Sequence, residues 1–270
     1  MTASDKEFTG SIPQLYDQLL VPMSFVPYAR DLAQRIKSYQ PRDLLEIAAG
    51  TGVVTAALSS ELPDSTQITA TDLNEPMLAQ AKIRLADQPR IKWQQADALA
   101  LPFDDASFDI VVCQFGVMFF PDRVKGYAEA RRVLRPGGHF VFNVWDELAE
   151  NDFPNVVHQT LQQLFPDSPP QFMARTPHGY HDAVRIRADL KEAGFTDIAI
   201  ETVTHRSRAN SAQDAATAFC QGSPMRGEIE ACGAPGLEAA TRKSAEALAR
   251  RFGNGPIEGR IQALVISAAL

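Results

Sequence analysis

The sequence predicts an α/β protein, a doubly wound, mostly parallel sheet of seven strands with helices on both faces. Three observations predict it. Short apolar runs alternate with amphipathic stretches of helical length, the rhythm of βαβ units. The runs Leu44–Ala49 and Phe108–Phe115 are nearly continuously apolar, as strands buried on both faces are. A glycine pair, Gly50 and Gly52, separates the first of these runs from a helix.

Residues 12–40 hold apolar positions at helical spacing, and Pro13, Pro22 and Pro27 are expected to cut them into short helices. Leu44–Ala49 is the first strand and Val53–Leu62 the first core helix. Gln67–Leu73 is the second strand, and Asn74 is placed to cap a helix that carries Glu75 and Pro76 in its first turn and runs to about Ala86. Ile91–Ala96 alternates weakly as a third strand, and Phe108–Phe115 is the fourth. Pro121–Leu134 is the next helix, with RPGG at 135–138 as the turn into a fifth strand, His139–Trp145. After Asp146 a helix (about 153–165) and a Pro-rich loop interrupt the rhythm. It resumes in the helix Asp182–Ala193, stopped by Gly194, and the strand Phe195–His205. Residues 206–259 are helical and Ala-rich, opened by Ser211 and Asp214 in capping-box spacing, and Ile261–Ala268 closes the sheet.

The expected organisation is therefore a single domain over 1–270. Residues 1–41 form a helical cap, 42–146 a ligand-binding core, 147–181 an insert, 182–205 a return to the core, 206–259 a helical lid, and 260–270 the last strand. Composition limits the function. The 270 residues carry 26 Lys+Arg against 33 Asp+Glu, a net charge of -7, and the core 42–146 is itself acidic; that argues against a nucleic-acid partner. The longest apolar run, Ile110–Phe120, falls short of the ~18 residues of a membrane helix. The start, MTASDKEFTG, lacks an apolar core and reads as no leader. Three scattered cysteines (Cys113, Cys220, Cys232) make neither a zinc site nor a disulfide framework. The expectation is a cytoplasmic protein with no metal and no membrane span, acting on a small-molecule substrate, with a homodimer as the candidate assembly.

The informative segment is LLEIAAGTGVVTAAL. Two glycines between a buried strand and a helix let the backbone pass close to a ligand, and the helix start behind them offers unpaired N–H groups. Asp72 follows Gly50 by 22 positions, and an acid at the end of the second strand can accept both hydroxyls of a ribose. The third glycine of a dinucleotide fingerprint would fall at Thr55, so the spacing favours an adenosine ligand without pyrophosphate.

Four blocks in this order resemble the class I S-adenosylmethionine-dependent methyltransferases, near the quinone-biosynthesis C-methyltransferases. They are EIAAGTG at 46–52, TATDLNEPML at 69–78, QADALALPFDDASFDIVVCQFGVMFFPD at 95–122 and RRVLRPGGHFVFNVWD at 131–146. The resemblance implies a Rossmann-like fold and S-adenosyl-L-methionine as cofactor. It implies that Ala48, Gly50 and Gly52 line the methionine part, with Glu46 reaching its amino group directly or through water. Asp72 would hold the ribose, Leu73 and Met77 would flank the adenine, and Asp97 would accept its exocyclic amine beside the Ala98 backbone. Gln114 and Phe115 would border the sulfonium. The family usually has glycine where this chain has Ala48, and Asp where it has Glu46.

Several residues keep a plainer alternative. Asp97 also reads as a turn or N-cap residue, Gln114 as a satisfied core amide, and Phe119 and Phe120 as packing rather than an acceptor wall. His178, Tyr180 and His181 are candidates for a base over an acceptor that must lose a proton, or are exposed loop residues. Tyr16, Tyr28 and Arg30 are candidates for closing over the cofactor carboxylate. Arg206, Arg208 and Arg226 make either an anion-binding entrance or a solvated face. The expected activity is methyl transfer by in-line displacement to a small, partly apolar metabolite, with the protein supplying alignment and exclusion of water. An NAD(P)-dependent oxidoreductase and a non-catalytic cofactor-binding regulator are the alternatives.

Overall fold

The computed structural model of the protein describes residues 10–270, so the expectation about a leader lies largely on residues outside it. Seven strands form one mixed, mostly parallel sheet: β1 (Asp43–Glu46), β2 (Gln67–Asp72), β3 (Ile91–Gln95), β4 (Phe108–Gln114), β5 (Leu134–Trp145), β6 (Asp197–Ala209) and β7 (Ile257–Ala269). Their order is β3-β2-β1-β4-β5-β7-β6, and β1 to β5 pair in parallel. The order reverses between β1 and β4, the switch point at which open α/β sheets bind ligands beyond the carboxyl ends of their strands.

Contacts divide the chain into two compact units. The sheet unit holds Tyr28–Val144, His181–Val203 and Ala263–Leu270. Its core gathers Leu32, Ile36, Leu44, Leu58, Ile68, Ile110, Val112 and Val265, which is why the segments around β1 and β4 read as nearly continuous apolar runs. The helical unit holds the described residues through Pro27, Trp145–Tyr180 and Thr204–Gln262. In it the helices Asp152–Leu164, Ala212–Gln221 and Gly236–Phe252 pack together, with Phe153 edge-on to Phe252 at 5.0 Å. Gly259 passes Phe153 so closely that a Cβ there would stand 2.8 Å from the ring. The Ser211 hydroxyl accepts the Asp214 N–H at 3.0 Å, the capping expected from the spacing. Among the described residues no helix is long and apolar enough to cross a membrane.

Three local expectations are corrected. The prolines do not cut the N-terminal helix: a π-helical stretch, Tyr16–Phe25, carries Pro22 internally and runs directly into Val26–Lys37. Five-residue bonds, such as Val26 N–H to the Val21 carbonyl, carry the helix past Pro22, which has no N–H of its own to donate. RPGG is not a turn before β5 but a bulge within it. The register jumps from Phe108–Leu134 to Ile110–His139, Gly137 takes φ +80°, and a Cβ on Gly138 would meet the Asp109 carbonyl at 2.8 Å. Asn74 occupies the N-cap position, yet its side chain caps nothing. Instead its own N–H goes to Asp72 Oδ1 at 2.8 Å.

Candidate active site

The carboxyl edge of the sheet unit is built by the turns after β1, β2 and β4. After β1, Ala48, Gly50 and Gly52 all take positive φ, at +55°, +58° and +80°. The turn is closed by Gly52 N–H to the Ala49 carbonyl (3.0 Å) and tied to the sheet by Ile47 N–H to Val112 and Ala49 N–H to Thr71. Gly52 must be glycine on two counts: its φ is left-handed, and a Cβ would press on Ala81, Trp93 and Leu85 at 3.1–3.4 Å. Ala48 is an L-residue in left-handed backbone, a conformation that ordinarily favours glycine. Room for its methyl comes from across the sheet, because Gly116, after β4, has no Cβ, and one placed there would stand 2.6 Å from the Ala48 Cβ.

Two carboxylates flank this turn. Glu46, at the end of β1, is fully buried and accepts the Thr55 hydroxyl at 2.6 Å. Burial pushes its carboxyl up to about 8, against the lowering effect of Thr55 and with further upward pressure from Asp72. Asp72, at the end of β2, accepts Gly50 N–H on Oδ2 (2.8 Å) and Asn74 N–H on Oδ1 (2.8 Å). It too is raised by burial, with these backbone donors pulling the other way. Among the described residues neither acid forms an ion pair, so the edge concentrates buried, like-charged acidity around a backbone turn. The Thr51 hydroxyl in the same turn is also buried with no partner among the described residues. These features fit a ligand that carries cationic and hydroxyl groups.

The other expected residues distribute as follows. Leu73 is exposed, and Met77 is buried with its methyl over Gly50. Asp97 is exposed and accepts Leu99 N–H at 2.9 Å, the turn role foreseen as its alternative, beside a half-buried Ala98. Gln114 and Phe115 are buried at the end of β4. Phe119 is half-buried in the turn Val117–Phe119, while Phe120 is core, packed where Gly126 leaves no side chain. Tyr28 is buried, its ring edge-on to Phe115 at 5.3 Å and its hydroxyl on the Val203 carbonyl, whereas Arg30 is exposed.

In the helical unit, His178 and Tyr180 are buried rather than exposed loop residues. His178 Nδ1 lies 2.8 Å from the Asp146 carbonyl, which only accepts, so that nitrogen carries the proton. His181 is half-buried and belongs to the sheet unit. The Tyr16 ring packs tilted against Phe25, with centroids 5.2 Å apart. Arg206 and Arg208 both bind Glu258, and Arg226 binds Glu230, so the anion-binding entrance resolves into paired surface charge. Sequence reasoning missed Thr55, Gly116 and Asn143. The lone amide in the apolar string HFVFNVW was the one visible signal for the last.

A family model described as a methyltransferase domain matches residues 45–142. The demethylmenaquinone methyltransferase of Deinococcus radiodurans is 34% identical over 165 residues, 60% of this chain and 68% of that protein. That of Staphylococcus epidermidis is 28% identical over 206 residues, 72% of this chain and 86% of its own. Among solved structures, Haemonchus contortus phosphoethanolamine N-methyltransferase 2, in complex with phosphomonomethylethanolamine and S-adenosylhomocysteine, superposes with a TM-score of 0.53 at 17% identity. It covers 88% of this chain and 52% of that one, a likeness of fold.

Proposed function

The chain belongs to the class I S-adenosylmethionine-dependent methyltransferases of the quinone C-methyltransferase type, and from that premise we propose that its acceptor is a ring carbon of a demethylated quinol. When bound, S-adenosylmethionine supplies an electrophilic methyl group on a sulfonium, taken by in-line displacement. Support for the acceptor comes from the relatives, named as demethylmenaquinone methyltransferases. The net charge of -7 favours a small molecule over a nucleic acid.

The observation that carries the cofactor's placement is the pair of buried carboxylates without an ion-pair partner beside the left-handed glycine turn. We assign Asp72 to the ribose hydroxyls: its Oδ2 takes one backbone donor, Gly50 N–H, and retains a lone pair, while Oδ1 takes the Asn74 N–H and, at 3.4 Å, the Asn74 side-chain amide. Glu46 answers the ammonium of the methionine part, giving up its proton as the cation approaches. Ala48, Gly50 and Gly52 present backbone to the same part. Leu73 and Met77 flank the adenine, and the second oxygen of Asp97, with the Ala98 backbone, faces its amine. Gln114 and Phe115 border the reacting methyl and shield it from water, which matters because positive charge is lost in the transition state.

Calorimetric titration with S-adenosylmethionine, S-adenosylhomocysteine and NAD tests the cofactor, and binding of NAD alone would sink the assignment. Incubation with methyl-labelled S-adenosylmethionine tests the acceptor. Label is expected in a naphthoquinol that lacks its ring methyl and not in phosphomonomethylethanolamine; the reverse pattern refutes a quinol acceptor.

A further inference from the structure

β5 is apolar and buried through Phe140, Val141, Phe142 and Val144, except at Asn143, which is fully buried. A buried amide in such a strand is costly unless its groups are bonded. Asn143 sits opposite Gln114 in the sheet register. Its Oδ1 accepts the Phe115 N–H at 3.0 Å, and its backbone carbonyl accepts the same N–H at 3.2 Å. Of the two terminal atoms of the amide only the oxygen accepts, so this contact fixes which way the amide points. Nδ2, turned the other way, has no partner among the described residues. One bond therefore accounts for the side chain, and it goes to a strained residue: Phe115 has φ +50°, left-handed backbone that costs an aromatic residue stability unless neighbours hold it.

The neighbours of this turn hold it from other sides. Tyr28 meets the Phe115 ring edge-on. Gly116 fits under the Ala48 methyl and the Cys113 sulfur, where any Cβ would stand 2.6 Å from each. The Gln114–Gly116 turn is thus locked to the glycine turn by packing and to β5 by Asn143.

We propose that Asn143 is a positioning residue for methyl transfer: through the Phe115 N–H it holds the Gln114–Gly116 turn in the left-handed geometry that aligns the reacting methyl. The proposal rests on the reading above that Gln114 and Phe115 border that methyl. Leucine at 143 keeps the branched heavy-atom shape, and it removes both the Oδ1 bond and the unpartnered Nδ2. Asn143→Leu is therefore expected to melt close to the parent protein and to bind S-adenosylhomocysteine with unchanged affinity. The Phe115 amide should lose protection against hydrogen exchange. With the naphthoquinol as acceptor, kcat should fall about 10- to 100-fold at unchanged acceptor KM, the cost of a small misalignment.

Two further results separate the possible failures. Full kcat and full Phe115 protection in Asn143→Leu, with Phe115→Ala impaired, would overturn the positioning role alone. Full kcat in Phe115→Ala as well would overturn both the role and the placement of the methyl beside this turn. For a variant lost to misfolding, Asn143→Asp at acidic pH provides the second arm: its protonated carboxyl retains an oxygen for Phe115 N–H and should restore protection. Failure to restore it in a folded protein overturns the proposal.

Discussion

The two ends of the sheet in the sheet unit use the same residue types to opposite effect. At the amino edge, Asp43 and Asp109 both bind Arg135, at 2.9 and 2.7 Å, and Asp109 also accepts the Arg42 and Asp43 N–H groups. Although partial burial opposes it, these donors together hold the Asp109 carboxyl below its ordinary range. They line an open cleft of about 570 Å³ with Tyr39 and His139, whose tilted rings lie 4.3 Å apart. At the carboxyl edge, Glu46 and Asp72 are buried, unpaired with any described cation, and raised. The amino edge is electrostatically complete and serves the fold. The carboxyl edge holds buried acids whose cost a cationic ligand would relieve, as the proposed cofactor placement requires.

The largest expected effect lies at Glu46. A carboxyl at about 8 in the folded chain and near 4.5 when unfolded binds its proton more tightly in the native state. Glu46 should thus contribute its full stability below the lower value and lose it as pH rises toward 8, with a slope of up to about 1.4 kcal/mol per pH unit. Chemical denaturation of Glu46→Gln across this range should show that slope removed. Cofactor affinity, in contrast, should rise with pH over the same window in the parent and stay flatter in the variant. Equal slopes in both proteins would place Glu46 with the amino-edge acids.

Next, Asp72→Ala should weaken S-adenosylmethionine binding by ~1–3 kcal/mol, read by calorimetry, because two hydroxyls lose a charged acceptor. Gly116→Ala should destabilise the protein by ~1–3 kcal/mol through overpacking, and Ala48→Gly in the same chain should recover part of it, shown by thermal melts of the single and double variants. The smallest effect belongs to the amino edge. Arg135→Met should cost only ~0–1 kcal/mol, since these charges are about a third exposed. The cost should be present at neutral pH and vanish as pH falls through the lowered Asp109 value, while cofactor affinity stays unchanged. A loss of affinity in Arg135→Met would end the division between the two edges.

Much of the fold was legible in residue order. The nearly continuous apolar runs around β1 and β4, glycine-stopped helices and the spacing from Gly50 to Asp72 reflect local rules: burial on both faces, left-handed turns and helix termination. Less legible were places where distant segments compensate a local penalty. Proline within a helix reads as a break until a π-helical stretch absorbs it. RPGG reads as a turn until the Asp109 backbone is seen beside Gly138. An alanine in a glycine position reads as a departure until Gly116 appears against it.

By itself, the sequence determined the parallel α/β order, the glycine turn and the acids that flank it, because each depends on residues near one another in the chain. The tertiary structure alone decided that Glu46 meets Thr55 and Asp72 in a buried setting that raises its proton affinity. It also decided that Asn143 reaches Phe115 across the sheet, and that His178 and Tyr180 are buried. Burial, charge coupling and side-chain hydrogen bonds depend on distances through space, and folding sets those distances between residues whose separation in sequence carries no record of them.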